Sequence, residues 1–138
     1  MAVIDYREDV PVPEHYLQLF ETTGWNESYQ AGGEELAQAL KHSWLVVSAF
    51  EGERLVGLGR VVSDGVLYAM IYDMIVLPGY QGRGIGTNIL DRLVAKCRSA
   101  GIREIQLFSA RGKANFYRKR GFQERPPDGP GMRWVGNV

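Results

Sequence analysis

Four glycines in the eight residues 79–86 (Gly79, Gly82, Gly84 and Gly86) separate a β-rich run from an amphipathic one, and nothing else in the chain constrains it as tightly. Glycine takes left-handed backbone angles without a Cβ penalty, so such a cluster lets the chain turn sharply and approach a ligand closely. The residues that follow read as a helix over 82–100. Ile85, Ile89, Leu90, Leu93, Val94 and Cys97 fall on one stripe, and Gly101 marks the stop. The first turn of a helix leaves four N–H groups unpaired at the positive end of its dipole, which suits a pyrophosphate. A structural turn without a ligand is the alternative. Two nucleotide fingerprints fail: Gly82 and Gly84 are followed by Thr87, and Gly84 and Gly86 by Ile89, where G-x-G-x-x-G needs glycine, and a P-loop's Gly-Lys-Ser/Thr is absent.

Around this centre the patterning predicts a strand over 2–7 and helices over 13–21 and 33–41. The loop between the helices, 22–31, carries Trp25 and Tyr29, large side chains that either cap the core or line a pocket. Runs over 43–50, 54–63 and 66–77 read as three antiparallel strands, with Asp64-Gly65 as a hairpin signal. A strand over 104–110, a short helix over 113–120 stopped by Gly121, and a last strand within the Pro/Gly-interrupted 122–134 complete the order. The expected fold is α/β (α+β), one domain over 1–138, with a mixed, mostly antiparallel sheet flanked by helices.

Composition excludes several functions. Sixteen Lys and Arg balance sixteen Asp and Glu, so no overall charge draws the chain to nucleic acid or to a membrane. No apolar run is long enough to span a bilayer, and residues 1–10 lack the apolar core of an export signal. The single cysteine, Cys97, can form neither an internal disulfide nor a multi-thiol metal site. The expectation is a metal-free protein of the reducing cytoplasm.

Gln81-Gly82-Arg83-Gly84-Ile85-Gly86 matches the Q/R-x-x-G-x-G/A pattern of motif A in the GNAT superfamily of N-acetyltransferases, and 74–78 matches the strand before it. Residues 115–122, a short helix ending in Gly121-Phe122, resemble that family's motif B. The order of elements is also similar, so the resemblance covers nearly the whole chain. Within the family, 72–76, 107–110, Phe116-Tyr117 and Gly131-Met132-x-Trp134 most resemble the plant-type serotonin (arylalkylamine) N-acetyltransferase subgroup and its bacterial relatives.

The resemblance implies acetyl-CoA as cosubstrate. Its pyrophosphate would lie on Gln81, Gly82, Arg83, Gly84, Ile85, Gly86 and Thr87, its pantetheine arm would pair beside Met74, Ile75 and Val76, and Asn115 would reach the cofactor. Members of the family often form homodimers, which leaves self-association open here. The implied reaction is direct attack by a primary amine of a small molecule in a ternary complex. A protein lysine or N-terminal acceptor is one alternative, and a noncatalytic acyl-CoA-binding module is another.

An amine must attack as the neutral base, although alkylamines are mostly ammonium at neutral pH. Asp73, in an otherwise apolar strand, either takes that proton or serves as a structural carboxylate, and both roles need a buried partner. The Val76 N–H is assigned to the developing oxyanion, and Tyr117, at the family's acid position, to the departing thiolate. Arg111, Lys113, Arg118, Lys119 and Arg120 either meet the cofactor's 3′-phosphate or form a solvated face. Tyr68, Tyr72, Tyr80, His15 and His42 read as surface or core-edge residues.

Overall fold

Valine-, isoleucine- and leucine-rich runs make the strands of this protein, and the helices that cover them are amphipathic. A computed structural model describes residues 3–136, which divide into two units, one up to Leu107 and the other from Phe108 on. In the first unit, β1 (Ile4–Arg7) is followed by α1 (Pro13–Glu21), α2 (Asn26–Tyr29) and α3 (Gly33–Lys41). Then come β2 (Leu45–Glu51), β3 (Arg54–Ser63), β4 (Tyr68–Val76), a 3-10 turn (Pro78–Tyr80), α4 (Ile85–Ser99) and β5 (Glu104–Leu107). The sheet order is β1-β2-β3-β4-β5, antiparallel except for the parallel β4–β5 pair. This is the mixed, mostly antiparallel α/β sheet that the patterning predicts.

Helices α1 and α3 cover one face. Tyr16, Leu19, Phe20, Leu36 and Leu40 form a buried cluster with Val46, Phe50, Leu55, Leu58 and Ile75. Helix α4 covers the other face through Ile85, Ile89 and Leu93 and lies close to β3. A Cβ on Gly59 would come within 2.6 Å of Met74 Sδ and 2.9 Å of Ile89. Only glycine leaves room there.

Several boundaries differ from those the sequence predicts. Residue 2, in the predicted first strand, lies outside the described residues, and the strand itself is Ile4–Arg7. The loop 22–31 contains α2, and Trp25 packs edge-on against Phe20, so it caps the core while Tyr29 stays exposed. The hairpin at Asp64-Gly65 is wider than two residues. Asp64 Oδ1 accepts from the N–H groups of Val66, Leu67 and Tyr68, which delays the start of β4 to Tyr68. Helix α4 starts at Ile85, not at residue 82, because Gly82 and Gly84 take left-handed φ of 79° and 80°.

In the second unit, α5 (Ala114–Arg118) buries Tyr117 edge-on between Phe116 and Phe122, with ring centroids at 5.0 and 6.0 Å. The strand predicted within 122–134 is not present among the described residues. Pro126, Pro127 and Pro130 remove ladder donors from this stretch, and Gly129 N–H turns back to Pro126 O instead.

Candidate active site

Strand β4 is paired on both sides only in its first half. Its parallel register with β5 runs from Tyr68↔Glu104 to Ile71↔Leu107, and residues 72–76 have no β5 partner. On the β3 side the pairing continues but slips: Arg60 faces Tyr72 and Leu58 faces Ile75, which leaves one extra residue on β4 opposite Gly59. This is a β-bulge, and such features bend a strand and re-aim its groups. Asp73 sits in it at φ 57°.

The free edge points outward. Leu77 N–H donates to Val56 O at 2.9 Å, so by alternation the N–H and carbonyl of Val76 face away from β3. Gln81 Nε2 donates to that Val76 carbonyl at 2.9 Å and ties the turn to the strand. Ile75 lies in the core beneath α1, whereas Met74 faces α4.

The turn itself is open. A Cβ on Gly79, Gly82 or Gly84 would meet nothing within 4 Å, so a ligand can approach the backbone there. Gly84 caps α4 in a left-handed conformation with no side chain on the first-turn amides, and the first carbonyl bond runs from Asn88 N–H to Gly84 O. The N–H groups of Ile85, Gly86 and Thr87 thus belong to the unpaired set of a helix start. Arg83 lies over the Tyr80 ring at 5.0 Å and Arg54 at 5.5 Å, while Tyr80 Oη donates to Glu51 Oε1 at 2.6 Å. Two cations therefore stand beside the turn. These residues fit a diphosphate in geometry and in charge.

On the opposite face from α4, Asp73 Oδ2 accepts two bonds, from Tyr16 Oη at 2.7 Å and from Arg60 Nε at 2.7 Å. Asp73 and Arg60 have side chains only 16% and 17% exposed, so the pair is largely removed from water. Burial, and then the neighbouring Asp73, pushes the Tyr16 phenol far above its ordinary value. Burial works against the charged Arg60, yet the bond and charge of Asp73 outweigh it and the net shift is upward. A left-handed non-glycine residue costs about 1–2 kcal/mol. Hydrogen bonds involving a charged group stabilise by about 1.5–3 kcal/mol each, so two of them hold that conformation. Sequence reasoning asks for a buried partner for Asp73 but does not identify Tyr16 or Arg60. The signal was present in Arg60, a cation in the apolar interior of a strand.

In the second unit Tyr117 is buried and burial alone raises its phenol above the ordinary value, while Asn115 is exposed. Among the described residues no three His, Cys, Asp or Glu side chains converge as a metal site, and no helix is long and apolar enough to cross a membrane.

A model of the acetyltransferase (GNAT) family matches residues 7–122. The chain is 36% identical over 114 residues to histone acetyltransferase TAP1 of Glycine max, covering 75% of this chain and 49% of that protein. It is 39% identical over 103 residues to the chloroplastic serotonin N-acetyltransferase 2 of Oryza sativa subsp. japonica, covering 72% and 52%. The chain thus spans about half the length of these curated relatives. A solved acetyltransferase of the GNAT family from Streptococcus pneumoniae TIGR4 superposes with a TM-score of 0.81 at 33% identity, covering 100% of both chains. With a motif-A turn that follows a strand open on one side, and with this match along most of its length, the chain belongs to the acetyltransferase (GNAT) family.

Proposed function

We propose that this chain is an acetyl-CoA-dependent N-acetyltransferase whose acceptor is a primary amine of a small molecule, attacking directly while both substrates are bound. The observation that carries the reading is the second half of β4, an outward backbone edge running into a glycine turn with open space beside it. The edge suits an extended, amide-bearing arm, and the turn suits a diphosphate. When bound, acetyl-CoA supplies an activated thioester. On the protein's side, the amides of 83–87 hold phosphate oxygens, Arg83 adds positive charge, and the backbone of 74–76 aligns the arm. Val76 N–H stabilises negative charge on the reacting carbonyl oxygen. On resemblance, Tyr117 is assigned to give its phenol proton to the departing sulfur as the C–S bond breaks and the C–N bond forms. The proton shed by the attacking nitrogen passes to solvent, which reprotonates the phenolate, and burial keeps the resting phenol protonated at neutral pH. Asn115, two residues before Tyr117 on α5, is assigned to the cofactor on resemblance.

Acetylation of a protein lysine is the second reading, because one relative is a histone acetyltransferase. Thiol release from acetyl-CoA, measured with arylalkylamines, polyamines, amino acids and lysine peptides, separates the two. Turnover on a small amine supports the proposal, and turnover on peptides alone moves it to the second reading. Binding of acetyl-CoA without turnover on any acceptor would leave a binding module. With an active acceptor in hand, Tyr117→Phe should lower kcat by about 10² to 10⁴ while acetyl-CoA affinity holds.

A further inference from the structure

The extra residue of β4 is an aspartate in a conformation that side chains rarely adopt, and the groups around it account for its persistence. Tyr16 reaches it from α1 and Arg60 from β3, both on the same carboxylate oxygen. Arg60 Nη1 also donates to Ser43 Oγ at 3.2 Å, and Ser43 Oγ donates to Ala39 O at 2.8 Å near the end of α3. The bulge is therefore tied to two helices and a strand. Three residues beyond Asp73 lies Val76, whose N–H and carbonyl face the open edge.

We propose that Tyr16 and Arg60 are positioning residues, which clamp Asp73 in its left-handed bulge and so fix the direction of the outward backbone groups of 74–76. This rests on the acetyl-transfer reading above, for which those groups must meet the thioester arm. Asp73 then acts through the backbone, and its carboxylate need not touch the amine. The clamp also links α1 to the reacting edge, because displacement of α1 would withdraw one of the two donors.

The test uses the full chain and the variants Tyr16→Phe, Asp73→Ala and Asp73→Asn. The readouts are kcat against pH, the acetyl-CoA dissociation constant by calorimetry, and the ¹³C shifts of residue 73, which report its backbone angles. Alanine disfavours the left-handed region and offers no acceptor, so Asp73→Ala should lose kcat by about ten- to a hundredfold, with acetyl-CoA affinity changed by less than about threefold. Asparagine tolerates that region and keeps one oxygen for Tyr16 and Arg60, so it should recover most of the loss without altering the pH profile. Tyr16→Phe leaves only the Arg60 bond against the left-handed cost, so it should move the residue 73 shifts toward the extended range and lower kcat by about tenfold, the equivalent of 1.36 kcal/mol.

Asp73→Asn as slow as Asp73→Ala, with its deficit growing toward low pH, would overturn the proposal and make the carboxylate itself the proton acceptor. Left-handed shifts retained in Tyr16→Phe, with kcat intact, would overturn it as well. If the wild-type chain binds acetyl-CoA and acetylates nothing, the acetyl-transfer reading fails separately. The shifts of residue 73 need no acceptor and still decide whether the clamp holds the bulge.

Discussion

The two halves of β4 belong to one strand and do opposite work. From Ala69 to Ile71 the strand is paired on both sides, and Ala69 and Ile71 are buried in the sheet interior. Over 72–76 it keeps β3, loses β5, gains a bulge and opens an edge. The first half is specified by side chains that fill space. The second is specified by where the backbone points, and its side chains matter chiefly for holding that direction. Substitutions should therefore cost stability in the first half and binding or turnover in the second.

The sharpest break should come at the turn that ends the open half. Gly84→Asp places a negative charge beside the proposed diphosphate, and like charges in contact cost several kcal/mol, more than about a hundredfold in affinity. The new Cβ has room, and the left-handed φ of 80° there costs a non-glycine residue only about 1–2 kcal/mol, so circular dichroism should report a folded protein while calorimetry detects little or no acetyl-CoA binding. Unchanged affinity in the folded variant would remove the turn from the site.

Next in size is Val76→Pro. Proline deletes an N–H that points away from β3, so the ladder survives. Loss of one oxyanion donor typically lowers kcat by about 10² to 10³, and that drop is expected with little change in thermal midpoint. A large fall in stability with normal turnover per folded molecule would mean that the two halves do not divide as argued.

Ile71→Ala should show the reverse pattern. Ile71 is 2% exposed, and truncating a buried isoleucine costs about 2–5 kcal/mol. The denaturation midpoint should fall accordingly, while kcat of the remaining folded protein stays near wild type. A turnover defect beyond the loss of folded protein would show that packing in the closed half also sets the geometry of the open one.

The smallest effect lies ahead of the strand. Three backbone N–H groups hold the fully exposed Asp64 carboxyl below its ordinary value of 3.8. A lowered carboxyl stabilises the fold above the unfolded value and loses that contribution as pH falls through the folded one. Between pH 5 and pH 3 the thermal midpoint of wild type should therefore fall slightly more than that of Asp64→Asn. Equal slopes would mean that the loop before β4 contributes no pH dependence.

Much of this arrangement is legible in the sequence because local signals agree with tertiary ones. Of the predicted stripe, Ile85, Ile89, Leu90, Leu93 and Cys97 are buried and Val94 is half-buried, and α1, α3 and β3 keep the predicted boundaries. The open turn is legible because left-handed glycines leave a mark in composition. The clamp is less so. Tyr16, Arg60 and Asp73 are 57 and 13 residues apart, and only the bulge register brings them together. The last predicted strand fails on local chemistry: prolines at 126, 127 and 130 withhold the donors a ladder needs.

The bulge also gives β4 something like a reading frame. Ten residues of β3 and nine of β4 stay in phase only because Asp73 is counted out of the ladder. If the bulge were ironed flat with Asp73 retained, Asp73 would face Gly59, Met74 would face Leu58 and Val76 would face Val56. Every downstream side chain would then change sides. Ile75 would leave the core for the α4 face, and the Val76 amide would turn inward to β3. Deleting Asp73 has the opposite effect, since a strand one residue shorter keeps Ile75 opposite Leu58 without any bulge. A deletion at this position should thus keep the register while costing the largely buried Arg60 and the Tyr16 hydroxyl their acceptor, whereas slippage of the intact strand would silence the edge with every residue still present.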